Sequence, residues 1–300
     1  PIRVAMIGQK GYPPVHGGII AVGYPTVLIG EFGSGSLGGG VGGLLAGLAL
    51  AGVAALKRLL GLDYPRQELG PDGKVVTRYN ASITIKGSPE YQAAVVADLD
   101  RLAATETGRK IIEEMGDTGH SLTIEPIPPG SDQSNGFCDY ADPADAVPGK
   151  GLPNADGTPG TGADGVIQYN PSATSEYTGE DGNTYTMEPN ETLGHEMIHA
   201  VHQGQGNDLM NEGKPSPYDN KEEMQTIGSN DGVDDYSGGE MTEGALETEN
   251  GKSPRPDHDS ITSTSYRDEN GAWHDQTTDA AGNTTDTVVP GPAGGGPPSQ

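Results

Sequence analysis

The stretch Glu188-Pro-Asn-Glu-Thr-Leu-Gly-His-Glu-Met-Ile-His-Ala-Val-His202 decides how the rest of this 300-residue chain is interpreted. It has the features of a helix, because Pro189 suits the first turn and Gly204 is placed to end it. His195 and His199 are four residues apart, so both imidazoles lie on one helix face and can reach a single ion. The stretch therefore predicts a metal site on a helix.

Glu196 follows the first histidine and completes an H-E-x-x-H motif, but it is not expected to bind the metal. It is placed to take a proton from the attacking water. Leu193, Met197 and Val201 fall on a different arc of the helix, which is predicted to pack against the body of the protein. Two surface histidines on an amphipathic helix are the alternative, and the capping residues and the apolar arc argue against it.

A catalytic zinc site needs a third protein ligand in addition to a water. His202 is near the same face, but the helix already supplies two ligands, so a distant carboxylate is favoured. The segment Glu222-Glu223-Met-Gln-Thr-Ile-Gly228, opened by Asp219-Asn220, predicts a short helix that could bring a carboxylate back to the metal. Adjacent helical residues point about 100° apart, so one of the two acids is expected to face the site and the other to face away.

The two motifs together resemble the zinc metallopeptidase effectors of bacterial secretion systems and the light chains of clostridial neurotoxins. Those light chains carry the pattern HELIHxxHxxYG followed by EELxTxG, which His195–Gly206 and Glu222–Gly228 match in part. The resemblance spans roughly residues 80 to 260. It implies a zincin-like α+β peptidase domain in which the second acid, Glu223, is the third zinc ligand.

The segment from Met241 to His258 is similar to the T-E-N-x-x-R-x-E-x-G-x-x-x-R-x-x-Y segment of the same family, with Glu247 in place of an Arg. The resemblance implies that Arg255 stabilises the oxyanion of the tetrahedral intermediate. His258 stands where the family has Tyr and could donate a hydrogen bond when protonated. Glu243 is a candidate to orient a ligating histidine through a hydrogen bond without binding the metal itself. The alternative is that Glu243 belongs to a solvated acidic face.

Nearer the start, Val15–Gly30 looks like the last repeat of a PAAR-type module, the conical tip of type VI secretion spikes. This resemblance implies a delivery module upstream and a cargo downstream; a generic glycine-rich hairpin is the alternative. Leu37–Leu56 contains no charged residue and has the roughly 20 residues that can cross a bilayer. Seven of its residues are glycines, which favours a flexible connector over a membrane helix.

The bulk composition limits the partners. The net charge of −26 repels phosphate backbones and excludes nucleic acid as an expected partner, although it suits cations, a basic protein or solubility alone. Cys138 is the only cysteine, so neither an internal disulfide nor a thiolate metal cluster can form, and it is interpreted as structural or incidental. The acidic loops at 154–157 and 230–235 lack EF-hand spacing and are interpreted as loops.

The sequence thus predicts an α+β chain with a zincin-like metallopeptidase domain, a short β-rich N-terminal fragment and a disordered C-terminal tail. The predicted segments are the end of a PAAR-like module at 1–33, an apolar connector at 34–65, the peptidase domain at 66–269, and a disordered tail or linker at 270–300. Inside the domain, the predicted elements are helices from Pro89 to about Gly108 and from Arg109 to Met115, strands at 121–125 and 165–170, and a long loop at 126–164.

The predicted function is that of a zinc-dependent endopeptidase, delivered into a target cell as the toxin or effector cargo of a type VI-like bacterial secretion system. Its partners would be a protein substrate in the target cell, secretion spike proteins and an immunity protein. The predicted site comprises Zn²⁺ on His195, His199 and Glu223, with catalysis by Glu196, Arg255 and His258. The rival hypotheses are a non-enzymatic spike or adaptor protein, which needs no zinc, and a toxin that contacts membranes through residues 37–56.

Overall fold

The computed structural model of the protein describes residues 64–131, 133–213, 220–228, 241–268, 270–278 and 284–290. The chain divides into two units, Pro1–Tyr64 and Pro65–Gln300, and apart from Tyr64 all described residues belong to the second. The PAAR-like stretch and the apolar stretch at 37–56 lie outside the described residues. Within the described ranges, no helix has the length and apolar character needed to span a membrane.

Six of the described strands form the first sheet: β1 (Arg66–Leu69), β2 (Val75–Arg78), β3 (Ile83–Ile85), β4 (Leu122–Pro126), β5 (Gly136–Tyr140) and β6 (Gly165–Tyr169). Their order across the sheet is β1-β2-β3-β4-β6-β5. β3, β4 and β6 run parallel, and β5 pairs antiparallel with β6 at the edge of the sheet. The strands predicted at 121–125 and 165–170 correspond to β4 and β6, and their predicted bounds differ from the observed ones by one residue at most.

The second sheet is antiparallel and has the strand order β11-β10-β9-β7-β8. Its strands are β7 (Thr174–Thr178), β8 (Thr184–Met187), β9 (Ile261–Arg267), β10 (Trp273–Thr278) and β11 (Thr284–Val289). The last two differ from the predicted disordered tail at 270–300. Their sequence is rich in Thr and Asp and mostly exposed, so it lacks the apolar alternation of a half-buried strand, and pairing onto β9 supplies the order.

Five α-helices are described: α1 (Pro89–Leu102), α2 (Glu106–Asp117), α3 (Pro189–Gln205), α4 (Lys221–Ile227) and α5 (Glu243–Glu249). Ser88 caps α1 as its sequence predicts, with its side chain accepting from the backbone N–H of Tyr91. α2 begins three residues earlier than expected because Thr105 caps it by accepting from the N–H of Gly108. The mixture of helices and sheets confirms the predicted α+β class.

The central helix α3 is buried on all sides from Pro189 to Gly204. It packs against α1, α2 and the strands β5 and β6, so its histidines lie inside the domain. The helix opens with a capping box between Glu188 and Glu191 and ends at Gly206, two residues later than predicted, with a φ of 70° that favours glycine.

The long loop predicted at 126–164 is interrupted by β5 and by a 3-10 helix at Pro143–Asp145. β5 was missed because it is short and lies among Gly, Pro and Asp residues. Its alternation is nevertheless regular: Gly136, Cys138 and Tyr140 are buried, while Phe137 is exposed. This strand forms one wall of the candidate site.

Candidate metal centre

His195 and His199 present their imidazoles to the same point, as the spacing on α3 predicts. Their Nε2 atoms lie 3.1 Å apart, and the rings meet edge to face with centroids 4.7 Å apart. Both side chains are buried. A single ion is the simplest species that two facing Nε2 atoms can share.

Glu223 comes to this point from α4, whose N-terminus is capped by Asn220 accepting from the Glu223 N–H. Its Oε2 lies 3.3 Å from His195 Nε2, and its Oε1 lies 3.5 Å from His199 Nε2. One ligand atom from each of these three residues lies within 4.8 Å of the others, and no further such group occurs among the described residues.

The donor set fits a catalytic zinc ion. Two imidazoles and one carboxylate are a ligand combination that zinc peptidases use, with a further position left open. Glu223 Oε2 is buried and accepts no hydrogen bond within the described part of the chain. A buried carboxylate oxygen without a donor is costly unless a cation satisfies it.

The charges in this cluster are strongly coupled. Burial would lower the pKa of both imidazoles, but Glu243 and Glu223 raise the pKa of His195 to about 9, and Glu223 and Glu222 raise the pKa of His199 well above its ordinary value. Burial would raise the pKa of Glu223, but the two histidines hold it far below its usual range. The carboxylates thus attract positive charge to this point, and a divalent cation would displace the protons held there.

The far side of each imidazole is held by a second carboxylate. His195 Nδ1 lies 2.5 Å from Glu243 Oε2, and His199 Nδ1 lies 3.0 Å from Glu222 Oε1. Both acids are buried. Hydrogen bonds at Nδ1 fix the tautomer in which Nε2 is free to bind metal. The contact to Glu243 is the one that its sequence position suggested.

Glu222 corrects the expectation that one acid of the pair faces away from the site. Its Oε1 also lies 2.6 Å from Nδ1 of His202, and its Oε2 accepts from the backbone N–H of Leu209 at 3.0 Å. His202 is accordingly a partner of Glu222 and not a member of the ligand cluster. The sequence signal that could have indicated this arrangement is the spacing of His199 and His202, because residues three apart on a helix can contact the same carboxylate.

Glu196 lies beside the ligand cluster and lines the same cavity, which has a volume of about 390 Å³. Its side chain is buried, and burial raises the pKa of its carboxyl, while the two histidines act in the opposite direction. A carboxylate that is adjacent to the ion position, and outside the ligand set, can accept a proton there.

Arg255 and His258 line this cavity too. The guanidinium of Arg255 donates from Nε and Nη2 to the carboxylate of Glu243, with the Nη2–Oε2 distance at 2.7 Å. Its Nη2 also lies 3.4 Å from His195 Nδ1. His258 belongs to a 3-10 turn, and its Nε2 lies 3.9 Å from Glu223 Oε2. Arg255 therefore supports the acid that holds His195, a contact that the sequence analysis did not predict.

Glu247, one turn beyond Glu243 on α5, gives a prediction about stability and pH. It is fully buried, and burial together with the charge of Glu243 raises its pKa to about 9. The folded protein therefore keeps a proton that the unfolded chain loses above about pH 4.5, so stability falls as the pH rises from 4.5 to 9. We expect Glu247→Gln to be more stable than the natural chain by about 3 kcal/mol at pH 7.

Urea unfolding of both proteins at several pH values measures this difference. Glu113→Gln, on the exposed face of α2, is the matched control and should change nothing. A difference for Glu247→Gln that stays constant between pH 4.5 and 8 would show that the folded protein does not retain the Glu247 proton and that the pKa of Glu247 is not raised.

The family comparison matches residues 79–258 to the peptidase M91 family, which is described as an effector protein family. The chain belongs to this family. The matched range covers more than half of the sequence and includes all of the cluster residues described above. Membership identifies the chain as a peptidase of the effector type.

Comparison with the curated proteins gives no match. Among solved structures, the botulinum neurotoxin serotype HA light chain is similar at 13% identity and a TM-score of 0.36, over 47% of this chain and 49% of that one. The Clostridium botulinum neurotoxin serotype F light chain is similar at 15% identity and a TM-score of 0.38, over 52% of this chain and 57% of that one. The botulinum neurotoxin type D light chain is similar at 13% identity and a TM-score of 0.36, over 52% of this chain and 56% of that one. The chain spans about half the length of these structures.

Proposed function

We propose that the chain is a zinc-dependent endopeptidase that holds Zn²⁺ on His195, His199 and Glu223. The observation that carries the proposal is the convergence of three ligand atoms within 4.8 Å of one another in a cavity that also contains Glu196. Membership in a peptidase family supports the same chemistry.

A zinc ion at this position would polarise the scissile carbonyl and acidify a neighbouring water. Glu196 then takes the proton from the attacking water and later delivers it to the leaving amine. Arg255 and His258, which line the same cavity, are proposed to stabilise the negative charge that develops on the carbonyl oxygen. Glu222 and Glu243 keep the two imidazoles oriented throughout.

The proposed biological role is that of an effector or toxin which cleaves a protein inside a target cell. The effector family supports delivery into another cell. The PAAR-like stretch within 1–33 supports a type VI-like spike as the carrier, with residues 34–65 as connector and 66–269 as the cargo domain. Secretion spike proteins and an immunity protein are the further partners that this role requires.

The metal content of the purified protein tests the proposal. We expect about one zinc per chain in the natural protein, measured by mass spectrometry, and a large loss in His199→Ala, since two remaining ligands hold zinc weakly. His274→Ala is the matched control, because His274 lies in β10 outside the cluster and its loss should leave the zinc content unchanged. Zinc-free natural protein after incubation with the metal would favour the non-enzymatic adaptor hypothesis.

A further inference from the structure

Gly136, the first residue of the edge strand β5, lies against the side chain of Glu196. A Cβ atom at residue 136 would stand 3.0 Å from Glu196 Cγ and 3.3 Å from Glu196 Oε1. It would also stand 3.1 Å from Thr192 Cγ2, one turn earlier on α3. Contacts this short require the neighbouring side chain to move, and the neighbour here is the carboxylate assigned as general base.

The backbone of Gly136 does not explain the glycine. The residue is paired with Tyr169 in a regular antiparallel ladder, and it is not among the glycines with positive φ. A strand position of this kind accepts any residue, and glycine weakens a strand unless another group must approach closely. What glycine accommodates at this position is the close approach of the Glu196 and Thr192 side chains.

The same strand contacts Glu196 a second time. Cys138, two residues further on and on the same face, directs its backbone N–H towards the Glu196 carboxylate and lines the same cavity. The carboxylate thus lies between β5 on one side and the two ligating histidines on the other. Its place is set by the strand as well as by its own helix.

We propose that Gly136 is a positioning residue for the general base: the absence of a side chain at this point of β5 fixes the conformation in which Glu196 reaches the attacking water. The inference rests on the proposed peptidase function and adds a residue to it. A methyl group at residue 136 would displace its neighbours by a few tenths of an ångström. Since a misplacement of about 1 Å in a reacting group can cost about a hundredfold in rate, we expect this smaller shift to cost about tenfold.

Acetohydroxamate binding to the zinc-loaded protein provides a test that does not depend on knowing the substrate. A hydroxamic acid loses its hydroxyl proton as it chelates zinc, and a carboxylate beside the metal takes that proton up. We expect Gly136→Ala to weaken this binding about tenfold in calorimetry, with the zinc content unchanged. In the background of Glu196→Ala, where the carboxylate is absent and only the contact with Thr192 Cγ2 remains, Gly136→Ala should have an effect of less than about twofold.

Gly165→Ala is the matched control. Gly165 begins the neighbouring strand β6 and faces the same helix, but a Cβ there would meet its nearest atoms at an ordinary 3.4 Å. This variant should bind acetohydroxamate as the natural protein does. On any protein that the natural chain cleaves, Gly136→Ala should lower kcat and leave KM nearly unchanged, since it displaces the base and not the substrate.

An equal loss of hydroxamate affinity with and without the Glu196 side chain would overturn the positioning role, and so would an equal loss in Gly165→Ala. In both cases zinc and hydroxamate binding by the natural chain would leave the peptidase proposal standing. Natural protein that binds neither zinc nor acetohydroxamate would remove both. If Gly136→Ala alone does not fold, recovery of its melting temperature by Glu196→Ala combined with Thr192→Ser, which removes the second crowding group, would support the crowding. Failure to recover in that background would contradict it.

Discussion

Glu196→Gln will lose almost all peptide-bond hydrolysis while it keeps its zinc. The amide has nearly the same shape as the carboxylate but cannot accept the proton of the attacking water, and general-base catalysis typically contributes about 10²- to 10⁴-fold. Glu196 stands outside the group of His195, His199 and Glu223 that could hold the ion, so the substitution leaves this candidate site untouched. Hydrolysis of an unfolded protein such as casein, followed together with the zinc content, measures both effects.

The matched control is Glu113→Gln, an exposed acid of α2 that should retain full activity and full zinc. Activity in Glu196→Gln within a few-fold of the natural protein would remove Glu196 from the chemistry. Leakage of lipid vesicles that persists in Glu196→Gln would instead favour the membrane-acting alternative, which assigns the toxicity to residues 37–56.

The sequence was most informative where chemistry depends on local spacing. The H-E-x-x-H motif required only helical periodicity, so His195 and His199 were predicted to face one point, and their Nε2 atoms do so at 3.1 Å. The choice of Glu223 over Glu222 came from the resemblance and not from the spacing, because a helix of seven residues has no clear apolar arc. The structure brings the Glu223 carboxylate to the two imidazoles, and its role as the third ligand is part of the proposed function.

The sequence was less informative where the relevant contacts are distant in the chain. Glu222 was expected to face away from the site, but the 100° between adjacent residues brings it to the opposite side of the same imidazole and not to solvent. Arg255 was assigned to the oxyanion alone, and its bidentate pairing with Glu243 depends on how α5 and the following loop fold back. β5 likewise depends on its antiparallel pairing with β6, and no local sequence pattern indicates that pairing.

Glu243→Gln is expected to have the largest effect on stability, because within the described part of the chain Glu243 is the only carboxylate in contact with both His195 Nδ1 and the Arg255 guanidinium. Arg255 is 2% exposed, so water cannot hydrate its charge once Glu243 is replaced. Removing one partner of a buried ion pair typically costs about 3–5 kcal/mol. Since His195 also loses the group that fixes its tautomer, zinc affinity should fall by about 10- to 100-fold.

These two effects can be separated with the double variant Glu243→Gln/Arg255→Met, which removes the unpaired charge as well. Urea unfolding of the metal-free proteins should show that the double variant recovers much of the stability lost by Glu243→Gln, because a buried pair can often be replaced by apolar groups at little cost. Chelator competition should show that its zinc affinity stays low, because His195 still lacks its carboxylate. Recovery of zinc affinity along with stability would mean that Glu243 serves the metal only through the integrity of the fold.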